Sequence, residues 1–194
     1  VYYKLMESLK DVRGHEDSKR RSKHIIENML YMVELNPINV KVCRKIFKMI
    51  DSNSEPNISN SNFLTEHVKW TNEFRLDKYD IIMGNPPYQD INESGETKHG
   101  SGKLYPDFIE KSVNILNKNG LLSMITPNGW FSGAQSKTGK ILDIFKKYNL
   151  IYIKTKKRNT EDMLSSYFKG VGTGNLVYFL IINNNNYTHT NCID

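Results

Sequence analysis

Tyr79-Asp80-Ile81-Ile82-Met83-Gly84 runs directly into Asn85-Pro86-Pro87-Tyr88. The first six residues form a short apolar run with one acid, the pattern of a buried parallel strand. The two prolines donate no N–H and fix φ, so the carbonyls before them are rigid acceptors with no local donor to satisfy them. Asn85 adds a side-chain carbonyl and Tyr88 an aromatic face. Open α/β sheets hold their ligands at the carboxyl ends of such strands. The cluster suits a planar amine, with carbonyls accepting its N–H groups while the ring stacks on the attached π system. Asn85, Pro86, Pro87 and Tyr88 are therefore the candidate catalytic residues. Without that chemistry, the same four residues would make a stiff strand-to-loop turn.

Working outward, strands alternate with helices. Val1 to about Asp11 predicts a helix, Asp11 to Arg21 a charged connector, and His24-Ile25-Ile26 a short amphipathic turn. Leu30 to Leu35 predicts a second buried strand. Asn36-Pro37 then opens a helix with Pro near its first position. That helix carries Val40, Cys43, Ile46, Phe47 and Ile50 on one face. Asp51 to Asn62 is rich in Ser and Asn and reads as a loop, and Phe63-Leu64 is at most a strand end. Further on, Leu104 to Asn117 and Lys137 to Tyr148 predict helices. Gly120 to Pro127, Leu150 to Lys154 and Leu176 to Ile182 predict strands, and Asn183 to Asn186 a turn. The alternation predicts an α/β sheet covered by helices on both faces.

Composition agrees with this class. A chain of 194 residues with 38% hydrophobic and 25% charged residues is globular and suits one domain rather than two. Cys43 and Cys192 lack metal-site spacing, which excludes a disulfide scaffold and makes a reducing cytoplasm the expected setting. No apolar run reaches the length of a membrane span. The net charge is +6, with 11 basic and 6 acidic groups in residues 1–50, 4 and 9 in 51–100, and 12 and 6 in 101–194. Lys146, Lys147, Lys154, Lys156, Lys157 and Arg158 form the densest basic stretch with no acid between them. Clustered cations release counterions from phosphates, so a polyanion is a candidate partner, against the alternative of a solvated face. The 22 Asn and 21 Lys against 6 Arg carry no functional weight.

Other motifs fail on inspection. Gly170-Val171-Gly172-Thr173-Gly174 has Asn175 where a dinucleotide fingerprint needs its third glycine, and it leads into a strand. Thr97 stands where a phosphate loop ending at Gly102-Lys103 would need its leading glycine. The five histidines form no metal pair, so no metal is expected.

The chain resembles the N6-adenine DNA methyltransferases of restriction–modification systems, which use S-adenosylmethionine and whose catalytic motif is Asn-Pro-Pro-Tyr. Tyr31 to Pro37 resembles the family's segment in which an acid, here Glu34, binds the cofactor ribose. Ser61-Asn62-Phe63-Leu64 is similar to the segment flanking the cofactor adenine, with Asn62 where the family usually has Asp. Leu104 to Ser112 and Leu121 to Phe131 resemble the helix and strand after the motif. Phe168 resembles the second aromatic that sandwiches the target base. The resemblance implies cofactor contacts from Glu34, Asn62, Phe63 and Asn85, and base stacking by Tyr88 and Phe168. Double-stranded DNA would be the partner, contacted by Lys154, Lys156, Lys157 and Arg158, together with a restriction endonuclease domain or subunit.

The implied fold is a Rossmann-like methyltransferase three-layer sandwich with a mostly parallel sheet. Its core falls at about 24–182, within a partial catalytic domain spanning 1–194. The family's glycine-rich loop, first strand and target-recognition domain do not occur in these residues. The chain alone is therefore expected to bind cofactor poorly, to lack activity and to be unstable. The same tetrapeptide also serves methyltransferases acting on RNA adenine and on a release-factor glutamine, and a non-catalytic DNA-binding subunit could keep the fold. These alternatives remain open at this point.

Overall fold

The computed structural model describes residues 1–88, 103–130, 136–155, 176–184 and 191–192, which group into two compact units, Val1–Leu76 and Asp77–Asp194. Each unit is α/β, as the alternation predicts. No described helix is long and apolar enough to cross a membrane, and no described group of three His, Cys, Asp or Glu residues could hold a metal.

The first unit contains α1 (Tyr2–Ser8), α2 (Ser18–His24), β1 (Tyr31–Glu34), α3 (Pro37–Ile50), β2 (Asn57–Asn60) and α4 (His67–Phe74). The last four residues of the stretch expected to be a connector, Ser18 to Arg21, are helical. Asp17 caps α2 by accepting from the Arg20 N–H at 2.7 Å. The Arg21 guanidinium turns inward and donates to the His15 and Glu16 carbonyls. A π-helical turn, Ile25–Met29, continues α2 and buries Ile25 and Ile26 completely. In α3, Asn36 accepts from the Ile38 N–H at 2.8 Å and Pro37 takes the first turn. Val40 faces inward as expected, but Ile46 is half exposed, because the covered arc is centred on Val40 and Phe47.

The expected loop from Asp51 to Asn62 contains β2, which pairs in parallel with β1 from Tyr31↔Asn57 to Glu34↔Asn60. Its polar ends are bound by side-chain amides. Asn57 Nδ2 donates to the Glu27 and Leu30 carbonyls, and Asn60 Nδ2 to those of Glu34 and Leu35.

The second unit contains β3 (Tyr79–Gly84), α5 (Tyr105–Asn114), β4 (Leu116–Pro127), α6 (Ser136–Lys147), β5 (Asn149–Thr155), β6 (Leu176–Ile182) and the two-residue β7 (Asn191–Cys192). The strand order is β3-β4-β6-β5-β7. The β3–β4 and β5–β7 pairs are parallel, while β6 runs antiparallel to both its neighbours. Leu122 and Met124 of β4 and Val177, Phe179 and Ile181 of β6 are buried together with Ile109 and Val113 of α5 and Ile141 of α6. β3 is a strand as expected but is not buried. Among the described residues it pairs only with β4, and Ile81 and Met83 are 59% and 56% exposed. β1 is likewise only half-buried.

One irregularity sets the register. Tyr79 pairs with Leu116, yet Ile81 pairs with Leu121, so β4 carries a bulge opposite Asp80. Asn119 lies there at φ 64°, and a Cβ on Gly120 would meet the Asn117 carbonyl oxygen at 2.9 Å. Asn183 plugs the bulge. Its N–H donates to the Gly120 carbonyl, its own carbonyl accepts from Asn119, and its Nδ2 donates to the Leu116 and Asn117 carbonyls. Beyond the bulge the pairing is regular to Gly84↔Met124, so Asn85 leaves β3 beside the end of β4.

Candidate active site

In the second unit the tetrapeptide stands at the carboxyl end of β3, where its preceding apolar run placed it. Pro86 is buried and anchors the turn, while Asn85 and Pro87 are exposed and Tyr88 is half-buried. Fixed φ at both prolines limits how the chain can curl between Asn85 and Tyr88. The curl brings their side chains together, and the Tyr88 hydroxyl donates to Asn85 Oδ1 at 2.7 Å. Burial holds the Tyr88 phenol above its ordinary pKa. Tyr88 is also fixed through its main chain, since its carbonyl accepts from the Leu104 N–H at the start of α5, at 3.3 Å. Among the described residues, nothing donates to the Pro86 carbonyl.

The end of β4 stiffens the same region. Thr126 is fully buried and accepts from Trp130 Nε1 at 3.4 Å. The Trp130 indole meets Phe145 edge-on, with ring centroids 4.9 Å apart. Such edge-to-face pairs add about 0.5–1.5 kcal/mol beyond burial.

In the first unit the other predicted residues gather at the carboxyl ends of β1 and β2. Glu34 is half-buried, its Oε1 accepts from the Asn36 N–H at 2.8 Å, and no described residue donates to Oε2. The Ser61 N–H donates to the Glu34 carbonyl, which carries the chain from β2 directly past the acid. Asn62 then turns the chain, with Oδ1 accepting from the Leu64 and Thr65 N–H groups. The Phe63 ring stacks on Trp70, with centroids 5.6 Å apart and planes 7° from parallel. A carboxylate that can accept from hydroxyls, with an aromatic ring in the same unit, is the set of groups that a ribose and an adenine require. On this chemistry the residues present fit the nucleoside part of S-adenosylmethionine.

Several supporting residues escaped the sequence reading. Asn60 clamps the successive carbonyls of Glu34 and Leu35, Ser59 and Ser61 form a buried hydroxyl pair at 2.7 Å, and Trp70 backs Phe63. The helical spacing of His67, Trp70 and Phe74 is the signal that could have revealed α4. Leu104, whose backbone holds Tyr88, has no sequence signal. Lys154 is exposed on β5. Lys156, Lys157, Arg158 and Phe168 lie outside the described residues, as do Phe131, the 99–102 stretch and the Gly170–Gly174 stretch.

Known proteins resemble parts of this chain. An uncharacterized adenine-specific methylase of Mycoplasma pneumoniae is 36% identical over 74 residues, covering 38% of this chain and 17% of that protein. The type II methyltransferase M.TthHB8I of Thermus thermophilus is 33% identical over 70 residues, covering 27% of this chain and 16% of that protein. The chain thus spans about a sixth of the length of these curated relatives.

Among solved structures, the M protein of the type I restriction enzyme EcoKI superposes with a TM-score of 0.64 at 16% identity. That match covers 93% of this chain and 35% of that one. A nuclease-deletion mutant of the type ISP restriction-modification enzyme LlaGI, in complex with a DNA substrate mimic, gives 0.64 at 17%, covering 98% and 23%. At these identities the structural likenesses speak for the fold. Residues 17–160, most of the sequence, match one family, and the chain belongs to the Eco57I restriction-modification methylases.

Proposed function

We propose that the protein carrying this chain transfers a methyl group from S-adenosylmethionine to the N6 amine of adenine in duplex DNA. The observation that carries this reading is the Asn85–Tyr88 turn at the end of β3, with the Asn85 and Tyr88 side chains held together by a hydrogen bond. Membership in a restriction-modification methylase family and the adenine-specific name of the Mycoplasma relative support it. When bound, the cofactor supplies an electrophilic methyl on a sulfonium.

The nucleophile is poor, because the adenine amine lone pair is delocalised into its ring. Hydrogen bonds from the amine to Asn85 Oδ1 and the Pro86 carbonyl pull the nitrogen toward tetrahedral geometry and free the pair. With S-adenosylmethionine held by Glu34 and Phe63, its sulfonium would supply the methyl and keep the electron pair of the broken C–S bond, while Asn85 Oδ1 and the Pro86 carbonyl would hold the amine as its surplus proton passes to solvent. No strong base is needed, and alignment can account for about 7–11 kcal/mol of the barrier.

The base has to leave the duplex at a cost of a few kcal/mol. Stacking on Tyr88, and on Phe168 as the second aromatic, offsets this by about 1–3 kcal/mol per contact. Glu34 would hold the ribose hydroxyls, and Phe63 would flank the cofactor adenine. With Asn62 Oδ1 taken by the backbone, that residue offers Nδ2 as a donor. Lys154, Lys156, Lys157 and Arg158 would contact DNA phosphates, and a restriction endonuclease domain or subunit would be the protein partner. Incubating the full-length protein with labelled cofactor and DNA, RNA or release factor tests the assignment. Label in DNA adenine is expected, and label only in RNA or in protein overturns it.

A further inference from the structure

We propose that the Tyr88 hydroxyl is a positioning group that fixes which end of the Asn85 amide faces the substrate, a role separate from base stacking and resting on the functional reading above. An asparagine amide is nearly symmetric in shape, and rotating it by half a turn exchanges an acceptor for a donor. Asn85 is exposed and its side chain has one described partner, the Tyr88 hydroxyl at 2.7 Å. A phenol donates strongly and accepts weakly, because its oxygen lone pair is delocalised into the ring. It therefore favours Oδ1 over Nδ2 as its neighbour.

Tyr88 can impose this preference because it is itself held, half-buried and tied through its carbonyl to the Leu104 N–H, with two φ-locked prolines between it and Asn85. Oδ1 has two lone pairs. One takes the phenol proton and the other stays open for an amine N–H. The chain therefore presents an acceptor to the substrate and would repel a carbonyl oxygen at the same place. The hydroxyl thus sets a preference for an amine over a keto group, which stacking alone cannot supply.

The test uses the full-length protein with Tyr88→Phe, which keeps the ring and removes only the hydroxyl. Losing one net hydrogen bond predicts a fall in kcat of roughly three- to tenfold with KM for DNA within about twofold. In an Asn85→Asp background, where both oxygens are acceptors and orientation no longer matters, the fall from Tyr88→Phe should shrink below about twofold. A readout independent of turnover is the ratio of affinities for DNA carrying adenine or hypoxanthine at the target position. That ratio should drop in Tyr88→Phe, since the amide can then turn its Nδ2 toward the 6-oxo group. An unchanged kcat with an unchanged ratio overturns the positioning role and leaves the methyltransferase reading standing. A wild-type protein that labels no DNA overturns that reading, and this proposal with it.

Discussion

The Glu66 carboxylate reaches back to close the turn that begins at Asn62. The Asn62 N–H donates to Glu66 Oε2 at 2.6 Å, while Asn62 Oδ1 receives the Leu64 and Thr65 N–H groups. This is the reciprocal logic of a capping box, in which backbone donors at a turn are satisfied by two nearby side chains. It shapes the stretch that presents Phe63.

The cap has a pH signature. The Asn62 N–H, and then Lys69 nearby, hold the Glu66 carboxyl below its ordinary value of 4.5. The folded form thus binds this proton more weakly than the unfolded form. Stability from the ionised carboxylate is present above about pH 4.5 and is lost as pH falls through the lower folded value. Glu66→Gln should melt below wild type at pH 7, and the gap should narrow as pH falls below 4.5. A gap that stays constant across that range, followed by thermal unfolding, would argue against the cap.

Asn85→Ala should reduce methyl transfer by about 10²–10³-fold, the usual scale for removing one preorganised polar group from a reacting centre. The Kd for DNA should stay within about twofold, because the amide touches no phosphate. Tyr88→Asp should be worse than Tyr88→Ala, since it loses stacking and adds a charge where the base has to sit. Filter binding and labelled transfer on the same preparations separate the two effects, and equal mild losses in all three variants would place the pocket elsewhere.

Glu34→Ala should weaken the cofactor Kd about 10–150-fold, equivalent to losing about 1.5–3 kcal/mol of charge-assisted hydrogen bonding. Glu34→Gln should lose less, because its amide oxygen can still take the Asn36 N–H or one hydroxyl. Calorimetric titration of the full-length protein reads both values.

Tyr105 is fully buried, and its hydroxyl has no described hydrogen-bond partner. Burial accordingly holds its phenol pKa up. Tyr105→Phe removes the orphaned group while keeping the ring, and should leave stability unchanged or raise it by up to about 1 kcal/mol. Chemical denaturation measures the change, and a loss of more than about 1 kcal/mol would mean that the hydroxyl has a partner after all.

The elements legible in the sequence were those carried by apolar pattern. β3 with its tetrapeptide, β4, β6 and the helix opened by Asn36-Pro37 all follow from continuous or periodic hydrophobic residues. What escaped was held by polar groups. Asn-Ile-Ser-Asn at 57–60 reads as a loop until the side-chain amides of Asn57 and Asn60 are seen to satisfy neighbouring carbonyls. Arg21 reads as a solvated charge until its guanidinium is found collecting two carbonyls. Exposure of β3 escaped for another reason. An apolar run says that a strand wants cover on both faces, but not which faces receive it. At the candidate site, Asn85–Tyr88 came from residue chemistry and position at a strand end, while Glu34 came from the resemblance of Tyr31–Pro37 to the family's ribose-binding segment. Trp70 and Leu104 act through packing and backbone, which single-residue reasoning does not reach.

The bulge opposite Asp80 makes the placement of the tetrapeptide a matter of parity. Side chains alternate faces along a strand, so a slip of one residue exchanges the two sides while a slip of two restores them. Between Leu116 and Leu121 the strand carries surplus residues that its neighbour lacks, pinned by Asn183. Beyond that point every pairing through Gly84↔Met124 is counted from the bulge. A one-residue deletion there that slipped the pairing beyond it would turn the β4 side chains next to the tetrapeptide to the opposite face of the sheet, although no residue of the tetrapeptide had changed. Length, at this one turn, is as much a determinant of the site as identity.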